Sequence, residues 1–169
     1  MASIRFANHT YRLVICALLA CFLPTASANV ERSADNKTFV AAAFDRWAAG
    51  GTDFFNEVVA PDVVWTIEGS GPNSGTYRGR DDLMARAVRP LTVRLKTPIR
   101  PVSKQLWADG DHVIIHWKGE AVARDAKLYV NSYVWIFRMK EGRATEVTAF
   151  LDMPAYDDVL RRIPQPEEG

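Results

Sequence analysis

Between Asp35 and Ala49 the apolar residues Phe39, Val40, Ala43, Phe44 and Trp47 recur at spacings of one, three and four. That period places them on one helical face, and Gly50-Gly51 stops the run. Asp53 to Val59 predicts a short second helix, closed by Pro61. Val63 to Glu68 is β-branched and aromatic and predicts a strand, followed by a long Gly, Pro, Asn and Ser turn from Gly69 to Gly79. Asp81 and Asp82 favour the first turn of a third helix, with Leu83, Met84, Ala87 and Val88 as its apolar face and Pro90 near its end. The pattern then changes to period two. Runs at 99–108, 112–124 and 127–139 are separated by Asp109-Gly110 and Asp125-Ala126, and a fourth, 143–151, follows Glu141-Gly142. Turn residues between alternating runs predict an antiparallel meander. Pro154 to Ile163 predicts a short final helix. Helices first and a long sheet afterwards is an α+β order, with the helices packed on one face of the sheet.

The first 28 residues follow a different logic. Arg5 and Arg12 precede an apolar run, Leu13 to Leu23, then Pro24 and the small triplet Ala26-Ser27-Ala28, the layout of a secretory signal cleaved before Asn29. The run is shorter than the ~20 residues a stable membrane span needs. An alternative is a lipoprotein anchored through Cys21, since Leu18-Leu19-Ala20-Cys21 resembles a lipobox. The division expected is a signal at 1–28, a linker at 29–34, one domain at 35–163 and a tail at 164–169. Removing the signal from the 169 residues takes two arginines, no acid and both cysteines, so the net charge moves from +1 to about −1. An exported, periplasmic or secreted chain of this composition is held by its core alone, and its near-neutral charge gives no reason to expect a nucleic-acid partner.

Alternation along the 127–139 run puts Tyr129, Asn131, Tyr133, Trp135, Phe137 and Met139 on one face, and Leu128, Val130, Ser132, Val134 and Ile136 on the other. By the same parity Glu146, Thr148, Phe150 and Asp152 share a face. An aromatic face carrying phenols and an amide is either plain core or the wall of a pocket for a small, apolar, partly oxygenated molecule.

Trp65-Thr66-Ile67 with Gly69-Ser70-Gly71-Pro72, then Ser74 to Asp81, Asn131 to Arg138 and Phe150-Leu151-Asp152 resemble SnoaL-like proteins of the nuclear transport factor 2 superfamily, relatives of ketosteroid isomerase. The resemblance spans about residues 35–163. It implies a conical α+β fold, three helices on a strongly bent antiparallel sheet with an internal pocket, often as a homodimer, and no cofactor. Members include isomerases, polyketide cyclases, dehydratases and non-catalytic domains, so fold alone names no reaction. The isomerase uses a carboxylate base and an oxyanion hole of a tyrosine and a protonated aspartate. At the matching positions stand Thr66, Ala43 and Trp135, so that mechanism requires Glu68 as a substitute base. SnoaL-type cyclases use an aspartate near the end of the last long strand, where this chain has Asp152. Two roles are open for it. Just before Pro154 it suits the N-cap of the last helix; as acid/base, it would take a proton α to a carbonyl while Asn131 and Tyr133 donate to the developing enolate oxygen.

The pocket candidates are therefore Trp65, Thr66, Trp135, Phe137, Phe150 and Tyr129, with Trp47, Trp117 and His116. His112 and His116 share a parity with Glu120, but four residues along a strand is roughly 13 Å, too far for two ligands on one ion. No metal site is expected. Arg86, Arg89, Arg94, Lys96, Arg100 and Lys104 occupy a stretch without an acid, either a solvated edge or an attractor for an anion.

Overall fold

The computed structural model describes residues 23–165. The first amphipathic run forms α1 (Leu23–Ala48), whose Val40, Ala43 and Phe44 are fully covered. The helix starts well before Asp35. Residues 29–34, expected as a linker, contain no glycine or proline and continue it as an exposed extension, with Thr38 Oγ1 donating to Ala34 O at 2.8 Å. Residues 1–22, which carry most of the expected signal and both cysteines, lie outside the described residues, as do residues 166–169 of the tail.

The short α2 (Phe54–Val58) runs directly into β1 (Val59–Ile67), which begins four residues before the predicted strand because Val59 and Ala60 are buried and Pro61 sits in a register shift. Within the long turn, β2 (Gly75–Arg78) is an unpredicted edge strand pairing antiparallel to β1. Its four residues are too few for a periodic signal, and only Tyr77 is buried.

The third helix is broken in register. It comprises α3 (Arg80–Leu83), a π-helical turn (Met84–Val88) and α4 (Arg89–Thr92). Pro90 supplies the cause. It has no N–H for the Arg86 carbonyl and its ring crowds that carbonyl. The preceding turn widens, so that Arg89 N–H reaches back to Met84 O. The Ala87 carbonyl accepts from Tyr156 Oη at 2.8 Å, which ties this wall to the C-terminal helix.

The meander appears as expected: β3 (Arg100–Asp109), β4 (His112–Val122), β5 (Leu128–Lys140) and β6 (Arg143–Leu151), all antiparallel neighbours. β6 closes the sheet by pairing parallel with β1, giving the order β2-β1-β6-β5-β4-β3. The final helix, α5 (Met153–Arg162), packs Tyr156 and Val159 inward. Its Arg162 pairs with Asp125 of the β4–β5 turn and with Asp158. Helices cover the concave face of this curved sheet, where Trp117, Phe137, Ile115 and Val113 meet Val40 and Phe44. On β5 the predicted alternation holds at every position from Tyr129 to Met139.

On β6 Glu146, Thr148 and Phe150 share a face as expected, but it is the outer one. Ala144, Val147 and Ala149 point inward, and Glu146 and Phe150 face solvent. A register irregularity at Arg138/Met139 shifts the phase, so Ala144 and Val147, three apart, both point in. Of these inward residues, the small Ala149 lines the cavity described next.

Candidate functional site

A cavity of about 470 Å³ lies between the concave face of the sheet and the helices. That is within the roughly 300–1,000 Å³ usual for small-molecule sites. Its floor is the inward row of three strands, Trp65 of β1, Trp117 of β4, and Tyr133 and Trp135 of β5, with Ala149 of β6. One side is the wall of the broken helix and the chain after it, through Met84, Val88, Leu91, Leu95 and Ile99. Trp47, Phe54 and Phe55 close the other side. The exposed lining residues Gly51, Thr52, Lys96, Thr97 and Pro98 mark the mouth.

The floor is built by ring stacking. Trp117 lies on Tyr133, with centroids 4.1 Å apart and planes 12° from parallel, and Trp135 meets Trp65 edge to face at 5.1 Å. The close stack depends on Gly119, two residues along β4. A Cβ there would come within 2.8 Å of the Trp117 ring, 2.9 Å of Ile99 Cγ2 and 3.3 Å of Tyr133 Cε2. The Trp117 indole N–H is buried with no hydrogen-bond acceptor among the described residues, and the rings of Phe44, Trp47 and Trp135 pack around this indole.

Hydrogen bonds at the floor form a relay. The Asn131 amide donates to the Asp152 carbonyl and to Tyr129 Oη, each at 2.9 Å, and its oxygen accepts from Asp152 N–H at 2.9 Å. Tyr129 Oη and Tyr133 Oη are 2.9 Å apart. Two phenol protons share that one contact, so one remains unused. When Asn131 donates to Tyr129 and Tyr129 to Tyr133, the unused proton is on Tyr133, the member that lines the cavity. Burial, and then the neighbouring Tyr129, push the Tyr133 pKa far up. Burial raises Tyr129 as well, partly offset by its hydrogen bonds with Tyr133 and Asn131. Tyr156 is also raised, first by burial. All three are neutral hydroxyls at pH 7.

Of the residues singled out in the sequence, Trp47, Trp65, Trp117, Tyr133 and Trp135 converge on the cavity. Phe137 is buried beneath the floor, and Tyr129 and Asn131 are buried in the relay. Both amide hydrogens of Asn131 are engaged within the protein, so it positions Tyr129 and has none left for a ligand. Asp152 is exposed. Its carboxylate accepts from Ala155 N–H at 3.3 Å as the N-cap of α5, which settles its geometry in favour of capping and places it outside the cavity. Thr66 and Glu68 alternate outward from Trp65 and Ile67: Thr66 Oγ1 lies 3.1 Å from Thr76 Oγ1, and Glu68 is exposed at the strand end. Phe150 is 45% exposed on the outer face, and His116 lies on the same face. The expected catalytic carboxylates are thus not where the floor is, and no group of residues suited to a metal ion occurs among the described residues. The wall residues Leu91, Leu95 and Ile99 were not singled out because Pro90 hides the phase of the helix, and Leu95 and Ile99 lie beyond its end at Thr92; the spacing of four from Leu83 through Ala87 and Leu91 to Leu95 was the available signal.

Of the basic stretch, Arg86 pairs with Asp82, Lys104 pairs with Asp45, and Arg94 is buried on the carbonyls of Ile163 and Pro90. Only Lys96 and Arg100 line the cavity.

A curved sheet with its helices on one face and an aromatic cavity between them defines a small α+β cone domain. Residues 40–147 match the SnoaL-like domain model, and the chain belongs to that family. Solved structures share the fold at low identity. An NTF2-like protein from Burkholderia xenovorans LB400 is 19% identical, over 76% of this chain and 97% of its own, with a TM-score of 0.57. A putative SnoaL-like polyketide cyclase from Jannaschia sp. CCS1 is 19% identical, over 78% and 95%, with a TM-score of 0.58. TerC, co-crystallized with polyporic acid, is 19% identical, over 75% and 98%, with a TM-score of 0.59. Comparison with curated proteins gives no match.

Proposed function

We propose that this domain binds a small, flat, largely apolar molecule bearing a carbonyl or hydroxyl oxygen, with the Tyr133 hydroxyl as its polar anchor. The observation that carries the reading is the relay: an aromatic cavity whose floor holds a pair of buried phenols with one proton unused. A buried donor without an acceptor costs roughly 1–3 kcal/mol, a penalty that a ligand oxygen removes. Proton-transfer chemistry of the isomerase, cyclase or dehydratase type needs a base near the reacting carbon. The cavity lining contains no aspartate, glutamate or histidine. Binding without catalysis is therefore the better-supported reading.

The test is titration with benzophenone, a two-ring ketone, followed by tryptophan fluorescence. Saturable quenching supports the reading, and Tyr133→Phe weakens it severalfold. A linear, non-saturating response refutes it.

Two further properties belong to the same proposal. Export fits the exposed course of residues 27–32, since cleavage before Asn29 removes nothing from the core, whose first fully covered residue is Val40. A homodimer through the outer sheet face fits the row Trp107, Ile114 and Ile136 and the adjacent pair Val134 and Phe150. Charges of both signs, Arg138, Glu146, Lys118 and Glu120, border this patch, a layout a two-fold axis can pair with itself.

A further inference from the structure

The cavity is apolar at its floor and cationic at its mouth, with no anion in its own wall. Lys96 and Arg100 are the charged residues of the lining, and every other lining residue is apolar, aromatic, glycine or a neutral hydroxyl carrier. At the mouth, the acid adjacent in sequence is Asp53, which follows Thr52 but is not part of the lining.

Arg100 is held rather than neutralised. Its Nη1 donates to Trp47 O and Gly51 O, each at 3.0 Å, and its Nη2 donates to Gly50 O at 3.1 Å. These bonds clamp the end of α1 against the start of β3 and fix the guanidinium at the mouth. They use three of its five N–H donors and leave its charge without a carboxylate partner among the described residues. Lys96 is exposed. Its backbone N–H is fixed to Val122 O at 2.7 Å, while its ammonium has no acid or acceptor among the described residues. The segment carrying it is pinned again where Thr97 Oγ1 accepts from Val122 N–H at 2.8 Å. Elsewhere in the same basic stretch, Arg86, Arg94 and Lys104 all have protein partners.

We infer that the ligand is an amphipathic organic acid: an apolar, ring-sized body on the Trp117–Tyr133 floor, and a carboxylate at the mouth, where Lys96 and the free N–H groups of Arg100 receive it. This rests on the proposed function and adds the charge of the ligand to it. A carboxylate matches the planar fork of an arginine, and a flexible lysine closes over its second side. The neutral oxygen that Tyr133 binds is then at the far end of the molecule from the acid.

The experiment uses 4-benzoylbenzoic acid and its methyl ester at pH 7.5. The two share the benzophenone body and differ in charge. Tryptophan fluorescence and calorimetry give the affinities. The acid is expected to bind roughly tenfold tighter than the ester in 50 mM salt, the ratio shrinking towards unity in 1 M salt. Lys96→Gln, at an exposed side chain with no partner to lose, is expected to cut the ratio at least threefold, with a smaller effect on the ester than on the acid and an unchanged unfolding midpoint. Arg100→Lys keeps the charge and loses the fork, and lowers acid affinity with a smaller effect on the ester. Equal affinities for acid and ester, or a preference untouched by salt and by Lys96→Gln, overturn the inference while the cavity reading stands. Absence of binding by both compounds overturns both.

Discussion

Gly119→Ala tests the packing that makes the cavity floor. The added Cβ would stand 2.8 Å from the Trp117 ring and 2.9 Å from Ile99 Cγ2, about 0.6 Å and 0.5 Å inside ordinary contact. Tyr133 Cε2, at 3.3 Å, blocks movement in the third direction. Trp117 cannot retreat freely, because Phe44 and Trp135 meet it edge-on at 5.5 and 4.8 Å. Backbone strain plays no part, since Gly119 is not among the glycines at positive φ. The cost is overpacking, about 1–3 kcal/mol. With a urea slope of about 2 kcal/mol per molar, that lowers the unfolding midpoint by roughly 0.5–1.5 M. The displaced indole also intrudes on the ligand site, so benzophenone affinity falls. Urea unfolding followed by far-UV circular dichroism, with a fluorescence titration of the folded protein, reads both effects. A midpoint within 0.2 M of the parent and an unchanged affinity would refute the claim that Gly119 is required for the Trp117–Tyr133 stack.

Asp152→Ala should cost about 1 kcal/mol through the lost N-cap, read by thermal unfolding, and leave ligand affinity unchanged; a loss of binding without a loss of stability contradicts the capping role. Spectrophotometric titration at 295 nm should show Tyr129, Tyr133 and Tyr156 silent above their ordinary pKa of 10.0 until the chain unfolds. The sign follows from linkage: their folded pKa values are raised, so stability is full below pH 10 and falls as the unfolded phenols ionise, and early reversible titration of these groups counts against the buried relay. Phe150→Glu should convert a dimer into a monomer in sedimentation equilibrium without lowering the unfolding midpoint; a parent protein that is already monomeric at high concentration removes the dimer proposal.

The sequence exposed those parts of the fold where a regular period meets a regular environment. β5 is the best case, because buried and outward positions alternate without interruption from Tyr129 to Met139 and one face is buried throughout. On β6 the same rule grouped Glu146, Thr148 and Phe150 on one face, but Ala144 and Ala149 are too small to announce the inward face, so Phe150 was counted among the pocket residues although its face is the outer one. Asp152 was legible as an N-cap from the proline two residues on, and the structure selects that role. The cavity itself was only half legible. Its floor came from strand alternation, but its wall depends on the register change that Pro90 imposes, and its mouth on Arg100 reaching back to Trp47, Gly50 and Gly51, a contact across about fifty residues that no local pattern encodes.

The central claim is that a small apolar molecule with an oxygen function occupies the aromatic cavity. The chain has five tryptophans, of which Trp47, Trp65, Trp117 and Trp135 line the cavity and Trp107 lies outside it, 45% exposed. Two-dimensional ¹H–¹⁵N spectra of the five indole N–H groups, recorded during titration with benzophenone, separate the two regions. The account predicts saturable shifts at the four cavity indoles, with Trp107 stationary. Shifts confined to Trp107, or none at any indole up to the solubility limit, would contradict it.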